Sequence, residues 1–150
     1  MKTLKEIVSE PGVYQAVLKD SLKVLDEEVA KKSGLSGLAI KGAYKILKKV
    51  QNGRALQKAV EVLMPEFIDK FEPYVARYQQ EGTKGSLDAY LVPNYQEIAD
   101  QLLSVTDKKI KESDNSMVRS TYDKLRPKAK NEVLVSLPAL ARMIDKYLRT

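Results

Sequence analysis

The chain has 150 residues, of which 43% are hydrophobic and 31% are charged, and its formal net charge is +6. This balance is typical of a soluble globular protein and excludes an intrinsically disordered chain. Neither cysteine nor histidine occurs, which excludes disulfide frameworks, thiolate metal sites and catalytic Ser–His or Cys–His pairs. We therefore expect no metal, no cofactor and no enzymatic activity.

No apolar run approaches the roughly 20 residues that a membrane-spanning helix needs. The N-terminal stretch MKTLKEIVSE carries a charge every few positions and has no apolar core, unlike an export signal. We therefore predict a cytoplasmic protein without a membrane span. The modest positive charge is compatible with a nucleic acid or an acidic lipid surface as partner.

The first two predicted elements are helices. Thr3 and Glu6 have the spacing of a capping box, which opens a short helix. Pro11 suits the first turn of a second helix. Apolar residues then recur every three or four positions from Tyr14 to Val29, which predicts one buried helical face.

The stretch SGLSG at 33–37 predicts the end of this helix and the start of the next. Gly34 is suited to a left-handed C-terminal cap, with Leu35 folding back as its hydrophobic contact. Ser36 is then suited to cap a third helix over about 37–51.

The triplet QNG at 51–53 predicts a break, after which a fourth helix runs to about Met64. Pro65 is expected to begin a fifth helix, and Pro73 within it predicts a kink or a break.

The second half is also predicted to be helical. The sequence EGTKGS at 81–86 is a connector, and Ser86 caps a short helix through Leu91. Further helix starts are expected at Pro93 or Asn94, Ser116, Pro127 and Pro138. Since no stretch alternates as a strand would, we predict an all-α fold, a compact bundle of eight to ten helices.

The two halves of the chain resemble each other. At an offset of 81 residues the buried positions of one long helix fall on those of the other, and at offsets of 78 and 73 the following helices match. Identical pairs are Tyr14/Tyr95, Leu22/Leu103, Asp26/Asp107, Tyr44/Tyr122, Pro65/Pro138 and Tyr74/Tyr147. Periodicity alone would give shared apolar spacing, but not the shared order, prolines and tyrosines. We predict repeats at about 1–80 and 83–150, packed with pseudo-twofold symmetry in one domain, 1–150.

A basic segment lies between Glu28 and Glu61, where eight lysine and arginine side chains occur without an acid. On the third helix four lysines share one sector, and Ala39, Ala43, Ile46, Leu47 and Val50 lie opposite. Candidate anion-binding residues are Ser33, Gly34, Ser36, Gly37, Lys41, Lys45, Lys48, Lys49 and Arg54. Pseudo-symmetry predicts a second basic patch over 119–130.

A structural interpretation of the same residues is available. Helix caps explain the SGLSG turn, Gly42 permits a close helix contact, and the lysines form a solvated face. Interleaved aromatic residues are missing, and lysine outnumbers arginine, which disfavours base recognition. A membrane-surface helix is also disfavoured, because the apolar face is rich in alanine and lacks Trp or Phe.

Acids and tyrosines are expected to be structural. Asp26 recurs as Asp107, but Glu27 and Glu28 correspond to lysines in the second half, which disfavours a carboxylate site. Asp26 and Asp107 are suited to hold a symmetric hydrogen bond to a cap or a tyrosine. We expect four tyrosines to be half-buried, with hydroxyls at the surface or on a carboxylate: Tyr14, Tyr44, Tyr95 and Tyr122.

Two stretches carry a resemblance to a known family: LDEEVAKKSGLSGLAIKGAYKILKKV at 25–50 and VTDKKIKESDNSMVRSTYDKLRPKAKNEV at 105–133. They resemble a family of small bacterial all-helical proteins of uncharacterised function, whose members share a DEEV-x-x-KSGLSG core. The resemblance implies membership of that family over nearly the whole chain. It implies no activity, cofactor or ligand, and it assigns no residue a role.

The sequence therefore favours a non-catalytic helical module that binds a protein partner or forms a homo-oligomer, as a scaffold would. The alternative is a protein that binds nucleic acid or another polyanion through the basic surface at 31–58. An enzyme that uses only carboxylate, lysine or tyrosine groups is the third possibility, which the missing histidine and cysteine disfavour.

Overall fold

The computed structural model describes residues 2–82 and 84–149, without the side chain of Ser36. These residues form helices and contain no strand, which confirms the all-α prediction. The helices are α1 (Leu4–Val8), α2 (Val13–Ala30), α3 (Gly34–Lys49), α4 (Arg54–Glu81), α5 (Leu87–Leu91), α6 (Tyr95–Lys111) and α7 (Ser116–Leu148). Short 3-10 turns lie at Val50–Gly53 and Val92–Asn94.

The prediction of eight to ten helices is wrong, because within the described residues only five are longer than five residues. The error comes from the prolines. The expected helix starts at Pro65, Pro127 and Pro138 lie inside α4 and α7, which continue through them. A proline removes one backbone hydrogen bond, but buried side chains on either side of it, such as Leu137 and Ala141 around Pro138, hold the helix in place.

Two local predictions are confirmed: the capping box at the start of α1 and the break in the chain before α4. Thr3 and Glu6 form the capping box. At the QNG triplet, Gln51 and Asn52 have φ values of 53° and 59°, and Gly53 has a φ of 84°. Three successive left-handed residues cannot continue a right-handed helix, so the chain bends between α3 and α4.

The turn between α2 and α3 differs from the prediction. Gly34 is left-handed as expected, with a φ of 73°, but α3 already begins there and Ser33 occupies the N-cap position. The predicted cap by the Ser36 side chain lies outside the described residues. Leu35 does not fold back, because 88% of its surface is exposed.

The core lies where the two short helices meet the long ones. The largest fully buried side chains are Leu87, Leu91, Ile98, Leu137 and Val75. Helix α5 thus contributes two buried leucines to the core while Ala89 on its other side stays exposed, and α6 packs between α4 and α7.

Each short helix is held at its N-terminus by a carboxylate from a long helix. The N–H groups of Leu4 and Lys5 donate to Glu72 of α4, at 3.0 and 3.2 Å. The N–H of Leu87 donates to Asp145 of α7, at 3.2 Å. Both carboxylates supply an acceptor for N–H groups that a helix start leaves unpaired.

Two glycines of α3 differ in their surroundings. A Cβ on Gly37 would lie 2.7 Å from the backbone carbonyl carbon of Lys32, so the turn requires glycine there. A Cβ on Gly42 would meet nothing within 4 Å. The predicted close helix contact at Gly42 is therefore wrong, and the close approach is at Gly37.

We expect Gly37→Ala to lower the free energy of unfolding by about 1–3 kcal/mol, because the added methyl group forces the α2–α3 turn apart. Gly42→Ala is the matched control and is expected to raise it by about 0.5–1 kcal/mol, because alanine favours the helix. Urea denaturation of the two variants measures both effects, and equal changes would contradict the contact at Gly37.

Candidate functional site

The SGLSG turn is accounted for by the packing of the chain on itself. Ser33 makes no side-chain cap hydrogen bond, Gly34 supplies the left-handed turn, and Gly37 is buried against the backbone of Lys32. None of these features needs a bound anion.

The lysines of α3 form a row on its surface. Lys41, Lys45 and Lys49 follow one another at every fourth residue, and all three are exposed. Among the described residues no ion pair to these three lysines is found. Lys48 differs, because its Nζ lies 3.4 Å from Asp26 and 5.3 Å from the ring centre of Tyr44.

The nine candidate residues do not converge on one point. At a rise of about 1.5 Å per residue, the start of α3 at Gly34 lies roughly 22 Å from Lys49. Arg54 lies beyond the bend, at the exposed first position of α4. The candidates are therefore spread along α3 and the start of α4 rather than gathered in a pocket, Gly37 among them is buried, and anion binding there stays a prediction.

An apolar stripe runs beside the lysine row, and sequence analysis missed it. Leu35, Leu38 and Ile46 are 88%, 69% and 48% exposed. Ala39 and Gly42, also exposed, lie between them. At about 100° per residue these five positions share one face of the helix. The spacing was visible in the sequence, but an apolar face is normally assigned to the core.

The inner face of α3 is made by other residues. Ile40, Ala43 and Leu47 are partly buried, and Tyr44 lies at the edge of the same face. Ala39 and Ile46 were grouped with this face from the sequence, whereas both are exposed. Helix α3 thus has two apolar faces, of which only one packs against the protein.

A tyrosine and a cation hold each of the two aspartates that recur in the sequence. The hydroxyl of Tyr44 donates to Asp26, and the hydroxyl of Tyr122 donates to Asp107 at 2.5 Å. Arg126 adds two bonds to Asp107, from Nε at 2.8 Å and from Nη2 at 3.1 Å. The predicted carboxylate–tyrosine hydrogen bonds are therefore confirmed.

The four named tyrosines are half-buried, as predicted. Tyr95 also donates to a carboxylate, that of Asp88. The bonds of Tyr44, Tyr95 and Tyr122 tie α2 to α3, α5 to α6 and α6 to α7, respectively, so they support the fold.

The pKa values of the groups in these clusters are shifted away from neutrality. The hydrogen bond from Arg126 lowers the pKa of Asp107, and the bond from Tyr44 lowers the pKa of Asp26. Burial, followed by the bond to Asp107, raises the pKa of Tyr122 to about 12. A general acid or base instead needs a pKa close to the working pH.

We expect the Asp107 cluster to stabilise the fold above pH 4 and to lose this contribution in acid. The pKa of Asp107 is lowered from 3.8 in the folded protein, so the unfolded chain binds its proton first as the pH falls. Thermal unfolding followed between pH 5 and pH 2 should show a smaller loss of Tm for Asp107→Asn than for the wild type. Parallel curves for the two proteins would contradict the assignment.

A surface cleft of about 450 Å³ lies between the start of α4, the end of α6 and the start of α7. Its wall is largely apolar, and Lys109 beside it is paired with Glu66 at 3.5 Å. Within residues 2–82 and 84–149, no group of three or more acidic side chains is placed to hold a metal ion. In the same ranges, no helix combines the length and the apolar character needed to cross a bilayer.

Comparison with known proteins gives a family and nothing further. No curated protein and no solved structure was found to be similar to the chain. The shared DEEV-x-x-KSGLSG core and the bacterial origin stay predictions. The family described as "Family of unknown function (DUF6918)" matches residues 4–148. Since this match spans nearly the whole sequence, the chain belongs to that family.

Proposed function

We propose that this protein is a non-catalytic interaction module, and that the outer surface of α3 binds an acidic amphipathic segment of another protein. The observation that carries the proposal is the exposed stripe of Leu35, Leu38 and Ile46 beside a row of lysines. Exposed contiguous apolar residues rimmed by charge are typical of interaction sites.

The charge of the surface favours an acidic partner. Lys41, Lys45 and Lys49 border the stripe, and the segment between Glu28 and Glu61 contains no acid. A partner helix with apolar residues on one face and acids beside them would complement both features. A second copy docking with the same face would place lysines against lysines, which disfavours a symmetric dimer there.

The apolar stripe also favours a protein over a nucleic acid. Lysine side chains alone would suit phosphates. Leucine and isoleucine side chains form neither hydrogen bonds nor ion pairs with a phosphate backbone. Burying them against a protein stabilises a complex by about 25 cal/mol per Å² of apolar surface. A polyanion would leave this area exposed to water.

The absence of catalysis is supported by the ionisable groups. The clustered aspartates and tyrosines have pKa values shifted away from neutrality by burial and by hydrogen bonds within the protein. Their partners are structural neighbours, so they are engaged in holding helices together.

We also propose that the two halves of the chain arose by duplication of one helical unit. Glu72 and Asp145, which hold the two short helices, differ by 73 residues, the offset predicted for that part of the chain. Asp26–Tyr44 and Asp107–Tyr122 likewise occupy matched positions. Both observations support a duplication with one diverged surface on α3.

The test is photo-crosslinking in the native cell, with a benzoyl-phenylalanine placed at Leu38. The matched control carries the same group at Val92, which is 56% exposed but lies far along the chain from α3. We expect a protein adduct from position 38 alone, and the crosslinked segment should be acidic and amphipathic.

Binding with purified components then decides between partners. The identified segment should bind the wild type, and Leu38→Asp should weaken it at least tenfold, a loss of about 1.4 kcal/mol. Reversing Lys41, Lys45 and Lys49 to Glu should weaken it further and invert its salt dependence, because salt then screens a repulsion instead of an attraction. Tight binding of DNA, RNA or anionic vesicles without any protein adduct would instead identify one of those surfaces as the partner and contradict the proposal.

A further inference from the structure

An apolar cavity of about 320 Å³, partly open to solvent, lies between α1, α2, α4 and α7, and Thr106 of α6 also contributes to its wall. Its wall is mostly apolar and includes Val17, Leu25, Met64, Phe67 and Leu140. Protein interiors contain few voids larger than a water molecule. An engineered apolar cavity of about 150 Å³ stays dry and takes up benzene, so this cavity has ample room for a small molecule.

One charged side chain lies on the wall, that of Glu28. The residue is 7% exposed, and its Oε2 lies 3.1 Å from Nζ of Lys31. Lys31 is not part of the wall and is largely exposed. The carboxylate therefore lies where the cavity approaches the surface.

The hydroxyl groups on the wall are already used. Ser21 donates to the sulfur of Met143 at 3.8 Å, and Ser136 donates to the carbonyl of Glu132 at 3.0 Å. Glu28 is thus the polar group best placed to fix the orientation of a ligand. An ionised carboxylate only accepts hydrogen bonds, so the complementary head group must donate them.

We propose that this cavity binds a small amphiphile, with an aliphatic or aromatic body in the apolar space and a hydrogen-bond-donating amine or hydroxyl head at Glu28. Its volume lies at the lower end of the range for ligand sites, roughly 300–1,000 Å³. A fatty acid does not fit, because its carboxylate would face that of Glu28. The site is distinct from the outer surface of α3.

The test uses octylamine, octanol and octanoate as probes of equal chain length. Binding to the full chain is followed by thermal unfolding and by NMR of the methyl groups. We expect octylamine and octanol to raise the Tm and to shift methyl signals of Met64 and Leu140, because a ligand that binds only the folded state stabilises it. Octanoate should bind at least tenfold more weakly.

Two variants with one control locate the site. Ser136→Leu narrows the cavity from α7, so it should weaken probe binding at least tenfold without lowering the Tm. Val135→Leu, at the neighbouring exposed position, should leave binding unchanged. Glu28→Gln should reduce the preference for octylamine over octanoate.

Octylamine binding that Ser136→Leu leaves unweakened, or no binding of any of the three probes, would overturn the cavity as a ligand site. Octanoate binding as tight as octylamine would overturn the role of Glu28. If Ser136→Leu unfolds the protein, Ser21→Leu narrows the same cavity from α2 and gives the same comparison.

Discussion

Replacing Leu137 with alanine is expected to lower the free energy of unfolding by about 3 kcal/mol. Leu137 is fully buried, and it lies next to Pro138 in the middle of α7. The substitution removes apolar contacts and leaves a space that the surrounding helices can fill only in part. Chemical denaturation with urea measures the change directly.

The control for this effect is Val135→Ala on the same helix. Val135 is 56% exposed, so its truncation is expected to change the stability by no more than about 0.5 kcal/mol. Similar losses at the two positions would mean that α7 does not present this face to the core through the proline.

Replacing Asp145 with alanine is expected to cost about 2 kcal/mol, through the loss of a single acceptor. Asp145 is buried and accepts the N–H of Leu87, a residue that is fully buried itself. Without the carboxylate this buried N–H cannot donate to water instead, and an unpaired buried donor carries its full desolvation cost. The bond from Nε of Arg149, at 2.9 Å, is lost as well, but that side chain is largely exposed and adds little.

Two further variants separate the causes. Asp145→Asn keeps an acceptor oxygen and should lose less stability than Asp145→Ala. Glu72→Ala removes the corresponding support of α1, which lies nearer to the surface, and should cost about 1 kcal/mol. A cost for Asp145→Asn equal to that for alanine would show that charge, rather than the missing acceptor, decides the stability.

The all-helical class and much of the order of the helices along the chain could be predicted from the sequence. The periodic apolar residues of α2 and α6 mark a single buried face each, and the capping box and the QNG triplet are local signals. The unbroken α4 and α7 could not be predicted in this way, because a proline is a local stop signal while contacts from distant residues, such as those of Leu137, let the helix continue.

The candidate surface could be predicted only in part. The lysines of α3 are evident from their spacing. The exposed leucines are not, because sequence periodicity shows that a helix has an apolar face but not whether a neighbour covers it. Lys48 illustrates the same limit, since its engagement by Asp26 depends on how α2 and α3 cross.

The partial burial of α3 has a consequence for the local opening of the protein. None of its leucine or isoleucine side chains is fully buried, whereas α6 buries Ile98, Leu102 and Leu103. Amide hydrogens of α3 should therefore exchange with solvent through a local opening, which costs less free energy than global unfolding. Those of α6 should exchange only through global unfolding. Ligation of the outer face would slow exchange in α3 first, which makes deuterium uptake a direct report on occupancy.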